Sequence, residues 1–223
     1  MGSILRLDGP VMTFLGKVAD VMILGMLWLV CCIPVITIGS STAAIYYVTL
    51  KMSRNEETHI VRQFFAALKD NLFQGMAYAA LFALAGVALF VNYWMIVSAY
   101  GKLETVMLVV FSLLAISLAS TVLYTFPLQA QFRNSVFGTI RNAFFLSIQN
   151  WPITIGLLVL NLIPVAVFIF VPDVFMESLP IWIGLAPGGI SYICAKSCSK
   201  LFEPLMEQAI NSETVSEEAV ETF

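Results

Sequence analysis

Residues 21–50 read VMILGMLWLVCCIPVITIGSSTAAIYYVTL, thirty residues without a charge or a histidine. The fold turns on how this run crosses an apolar phase, since a helix needs about 20 apolar residues to traverse roughly 30 Å of hydrocarbon. Ile33-Pro34 lies near the middle, followed by Thr37, Gly39, Ser40 and Ser41. Proline removes an amide donor and pushes the residue before it out of helical geometry. Two readings follow: one kinked helix, or the middle of a helical hairpin. In the hairpin, which we prefer, a first helix runs from near Val11 to near Cys32. A shorter helix then returns through Ala43, Tyr46 and Leu50. Lys17 and Asp20 fall on one face of the first helix, three residues apart, and are placed to pair.

The rest of the chain is of the same kind. Of its 223 residues, 60% are hydrophobic and 11% charged, and the mean hydropathy is +0.91. A soluble domain carries about a quarter charged residues. The 11 Lys and Arg and 14 Asp and Glu cannot cover a water-facing surface of this size. The balance excludes an ordinary soluble enzyme and a disordered chain. A net charge of −3 leaves no basic field for nucleic acid. Further uncharged runs cover residues 71–101, 105–132, 142–172 and 178–195. They show none of the alternation of a membrane barrel, so they are expected to be helices whose amides pair internally.

The expected architecture is therefore all-α: a polytopic transmembrane helix bundle forming one domain over 1–210. Its six spans lie near 12–33, 38–53, 72–98, 105–130, 151–172 and 179–200, and an acidic flexible tail follows over 211–223. The single-helix reading of 21–50 gives five spans instead. Lys51, Arg54, Arg62, Lys69, Arg133, Arg141, Lys196 and Lys200 fall on one side if the crossings alternate, against Lys102 alone on the other. The positive-inside bias makes that side, with the C-terminus, cytoplasmic. No cleavable signal peptide is expected.

Ser41-Thr42 to Arg54-Asn55 resembles Ser120-Thr121 to Arg133-Asn134, and Phe64-Phe65 recurs as Phe144-Phe145. A parallel internal repeat of helical hairpins is one reading; chance similarity in apolar sequence is the other. Each copy carries a short amphipathic segment on the cytoplasmic side. Ile60, Val61, Phe64, Phe65 and Leu68 form one apolar stripe, and Val136, Phe137, Ile140, Phe144 and Ile148 the other. Such helices pack in the membrane interface or dock a partner. The candidate partner contacts are Ile60, Phe64, Phe65, Phe137 and Phe144.

Catalytic chemistry is not expected. His59 is the only histidine, and no phosphate loop, zinc motif or nucleophile elbow is present. No metal and no cofactor are expected. Cys31, Cys32, Cys194 and Cys198 are read as small packing residues. Asn92, Asn161 and Gln129 are uncharged polar groups in or near spans. They act as interhelical glue, or, if gathered in one cavity, line a path for a neutral solute.

The stretch Leu27–Tyr47 resembles the N-terminal signature of the YesL-like family, small bacterial integral membrane proteins of unassigned function. The motif residues are Pro34, Thr37, Gly39, Tyr46 and Tyr47, and Arg54–Glu57 and Phe64-Phe65 continue the likeness. Ser40-Ser41 departs from it, where a proline is expected nearby. The resemblance implies a bacterial cytoplasmic membrane and the company of carbohydrate ABC importers. It brings no catalytic residues. An importer's permease would carry a Glu-Ala-Ala loop, and Phe65-Ala66-Ala67 lacks the acid. The expected function is an accessory or scaffold subunit whose partners are the lipid bilayer and an ABC permease and ATPase. The alternative is a stand-alone facilitator for a neutral solute such as a sugar. Association with copies of itself is left open.

Overall fold

The computed structural model describes residues 10–56, 59–98, 104–132 and 134–221; Arg6, Glu57, Lys102 and Arg133 lie outside them. Its elements in chain order are α1 (Pro10–Cys32), a 3-10 turn (Val35–Thr37), α2 (Ile38–Ser53), α3 (Ile60–Asp70), α4 (Leu72–Ser98) and α5 (Glu104–Gln131). Then come α6 (Val136–Gln149), α7 (Trp151–Phe170), α8 (Pro172–Glu177), α9 (Leu179–Gly184) and α10 (Ala186–Glu221). Among the described residues there is no strand.

Four helices are long and apolar enough to cross a membrane: α1 over Leu15–Cys32, α4 over Leu72–Ser98, α5 over Thr105–Gln131 and α7 over Trp151–Phe170. They leave Phe90, Trp94, Leu113, Leu162 and Phe170 more than half exposed. In water so much bare apolar surface would drive association. In hydrocarbon it carries no such cost, and the chain is accordingly a membrane protein with an all-helical fold.

The uncharged run 21–50 is broken where proline stands. Lys17 Nζ donates to Asn55 Oδ1 at 2.9 Å, and Trp28 Nε1 to Thr42 Oγ1 at 3.2 Å. These nested pairs make α1 and α2 an antiparallel hairpin. Lys17 therefore does not pair with Asp20 as expected. The reason lies at the end of α2: Asn55 adopts φ 57°, the left-handed conformation that closes a helix. The Asn55 side chain then meets α1.

α2 is the hub. It touches α1, α3, α4, α5 and α10, and its residues Ala43, Ala44, Val48 and Thr49 are fully enclosed. It is 16 residues long, about 24 Å at helical rise. Two glycine crossings set the packing, one on α2 and one between α1 and the α9–α10 segment. Gly39 of α2 lies against the backbone of Gly75 in α4, and a Cβ on either would collide with the other strand of backbone. Likewise Gly188 of α10 lies against the Val21 carbonyl, and Gly25 against Gly184 and Gly188. Without a hydrophobic drive between helices in lipid, close backbone approach through small residues supplies the contact energy.

The last expected span, 179–200, is not one helix. It divides at Leu185 into α9 and α10. Pro187 has no amide to bond backward and fits without loss in the first turn of a helix, where α10 places it. α10 then continues to Glu221, through most of the acidic segment read as a tail. Glu213, Glu217, Glu218, Ala219 and Glu221 in that segment favour helix.

Candidate functional site

The motif residues of the 27–47 stretch build the turn and the hub. Pro34 ends the helical path and caps the 3-10 turn with ψ 113°. The carbonyls at the end of α1 lose their helical partners there. Thr37 repairs this: its Oγ1 donates to the Cys31 carbonyl at 2.5 Å and lies 2.7 Å from the Pro34 carbonyl. Ser41 Oγ also donates to the Cys31 carbonyl, at 3.2 Å, and Ser40 Oγ to Thr37, at 3.0 Å. Two serines thus hold the turn where a proline was expected. Gly39 makes the α4 crossing. Tyr46 is buried at the centre, within reach of Cys194. Tyr47 is half-buried nearer the basic end, with Lys51 Nζ 4.8 Å from its ring centre.

Around Tyr46 the helices are joined by polar side chains. Asn161 Nδ2 of α7 donates to the Leu157 carbonyl at 2.8 Å and to Cys194 Sγ of α10 at 3.5 Å. The Tyr124 hydroxyl of α5 meets Thr154 Oγ1 of α7 at 3.0 Å, and Thr154 donates on to the Ser147 carbonyl. All four cysteines are free, and among the described residues no three His, Cys, Asp or Glu converge on a metal position.

The five candidate partner contacts divide. On α3, Ile60, Phe64 and Ala67 face inward, with Phe64 fully enclosed. Ile60 and Phe64 are therefore core residues, and their assignment as partner contacts is corrected. Phe65 faces outward, 42% exposed. On α6 the inward face is Thr139, Ala143, Leu146 and Ser147. The apolar stripe divides: Val136 and Ile140 pack against the core, while Phe137 at 80%, Phe144 at 37% and Ile148 at 56% stay exposed. The small side of α6 packs on α5, because small side chains let the two backbones approach.

Asn92, Asn161 and Gln129 are not brought together. Asn92 lines an apolar cleft of about 610 Å3 between α4, α5 and α6, with Phe137 and Phe144 on its wall. Asn161 lines a cavity of about 330 Å3 with Trp28, Tyr46 and Trp182. Gln129 lines a third, polar cleft of about 550 Å3 with Gln63, Asn71 and Gln74, where α2, α3, α4 and α5 end together. Among the described residues, these three thus line separate clefts. The third cleft was not foreseen. Its only sequence signal is uncharged amides, Gln129 and Gln131, closing an apolar span.

Residues 21–93, about a third of the chain, match a family model described as "Protein of unknown function, DUF624". YesL-like proteins carry this domain, so the match covers the same region as the resemblance drawn from the motif residues. No curated protein and no solved structure matches the chain.

Proposed function

We propose that this chain is an accessory subunit of a carbohydrate ABC importer in a bacterial cytoplasmic membrane, without catalysis of its own. It crosses the bilayer six times, with α2 and the α9–α10 segment as the short crossings and the C-terminus in the cytoplasm. The units α2–α3–α4 and α5–α6–α7 are parallel copies of one helix–short helix–span pattern. One observation carries the docking role: Phe137, Phe144, Phe145 and Ile148 of α6 stay exposed while Leu146 packs inward. Phe137 and Phe144 border a cleft wide enough for the side chains of another helix. Helix-in-groove recognition uses such a face, with anchors at helical spacing.

The test is affinity purification of the tagged chain, expressed at its native level and extracted in mild detergent. A permease and an ATPase are expected to be recovered with it, and Phe137→Glu together with Phe144→Glu should remove them. Recovery of the wild-type chain alone contradicts the proposal.

A further inference from the structure

α7 packs on α5, α6 and α10 but makes little contact with α2. The space left between α7 and α2 holds two cavities. On the α5 side, Ala115, Ala119, Val122, Leu158 and Leu162 line an apolar groove of about 600 Å3. On the α10 side lies the cavity of about 330 Å3, framed by Trp28, Phe175 and Trp182. Thr42, Tyr46 and Asn161 line both, so the two meet there.

The groove runs along α5 and α7, two of the helices long enough to cross the membrane, so hydrocarbon chains are what surround it. The smaller cavity differs in kind. Phe175 stacks on Trp182 with ring centres 5.6 Å apart. Both indole nitrogens are engaged, Trp28 with Thr42 and Trp182 with Ser178, so the rings offer apolar surface and not donors. Asn161 stands at the junction, exposed, near the middle of α7. Its Nδ2 is engaged by the Leu157 carbonyl and Cys194, and among the described residues its Oδ1 accepts from nothing. An amide oxygen at that depth is unfavourable unless a donor meets it. Neither lining contains a charged residue. A charged head would lie there uncompensated, which surroundings of low dielectric penalise heavily.

We propose that the paired cavities hold one uncharged lipid, a glycerolipid with a hydroxyl-bearing head such as diacylglycerol or its monoglycosyl derivative. An acyl chain lies in the groove between α5 and α7. The head lies among Trp28, Phe175 and Trp182, and one of its hydroxyls donates to Asn161 Oδ1. Phe137 and Phe144 of the α6 docking face lie on neither lining, and either reading can fail without the other.

The test holds the tagged full chain on an affinity resin in mild detergent. Separate samples receive radiolabelled dioleoylglycerol, its monoglucosyl derivative or dioleoyl phosphatidylglycerol. Saturable retention of at least one neutral lipid, near one per chain, is expected. Phosphatidylglycerol should bind about tenfold more weakly or not at all, because its anionic head meets no cation. Ala119→Trp fills the groove from an exposed position, so the chain should keep its size-exclusion profile and lose the lipid. Asn161→Leu should weaken retention about tenfold, the scale of one lost hydrogen bond. Phe137→Glu should leave retention unchanged. Phosphatidylglycerol held as tightly as the neutral lipids would overturn the proposal and mark the groove as a place for any bilayer lipid. Absence of saturable retention, or wild-type retention in either Ala119→Trp or Asn161→Leu, would overturn it as well.

Discussion

Gly39→Val is expected to abolish the folded bundle or lower its thermal midpoint more than any other single change considered. The new Cβ would meet the carbonyl of Gly75, a backbone atom held in the first turns of α4. A flexible side chain could rotate away; a helix backbone moves only with its helix. Overpacking a close-packed site costs about 1–3 kcal/mol, and more where the obstacle is rigid. The displaced element is α2, which touches five other helices, so the strain is not local. Gly75→Val meets the Ser40 amide from the other side and should act alike. Gly86→Ala is the control, since a Cβ there meets nothing within 4 Å. It gains up to about 1 kcal/mol of helix propensity. Size-exclusion profiles after graded heating in mild detergent read all three. A wild-type profile for Gly39→Val would remove the crossing from the account.

Phe64→Ala and Phe65→Ala, one residue apart, should part company. Phe64 is fully enclosed between α3 and the core, and its removal leaves a cavity. Phe→Ala in a core costs about 3–5 kcal/mol. Because α3 lies at the basic end rather than along an apolar span, the water-referenced figure applies better there than it would in lipid. Phe65 is 42% exposed and touches Phe64 edge-to-face at 5.7 Å. Its removal loses a ring contact worth about 0.5–1.5 kcal/mol. The thermal midpoint should therefore fall several-fold further for Phe64→Ala. Equal falls would mean that α3 presents a different face.

The same pair shows what sequence periodicity carries. It locates helices well: α2 and α4 begin and end at the expected residues, and α3 and α6 appear where apolar stripes recur. Proline at 34 was legible as a break because its chemistry acts locally. Which face of a helix is covered was not legible. For a soluble protein the large apolar side is the inward side. Beside a bilayer that inference loses its sign, and α6 turns Thr139, Ala143 and Ser147 inward and Phe137 outward. The split at Leu185 was missed because an 18-residue apolar run satisfies a span by length, while Pro187 acts only once the helix start is known. Gln63 and Gln129 stand far apart in sequence, with no spacing that announces a site. Their meeting is a product of the tertiary fold.

The account depends most on α6 offering its apolar face to another protein. A photo-reactive amino acid placed at Phe137, in cells that make the chain at its native level, reads that face directly. Illumination should join position 137 to a second membrane subunit, and the same probe at Phe64 should join to nothing outside the chain. Adducts with lipid alone from position 137 would contradict the docking role and leave α6 as an interfacial helix.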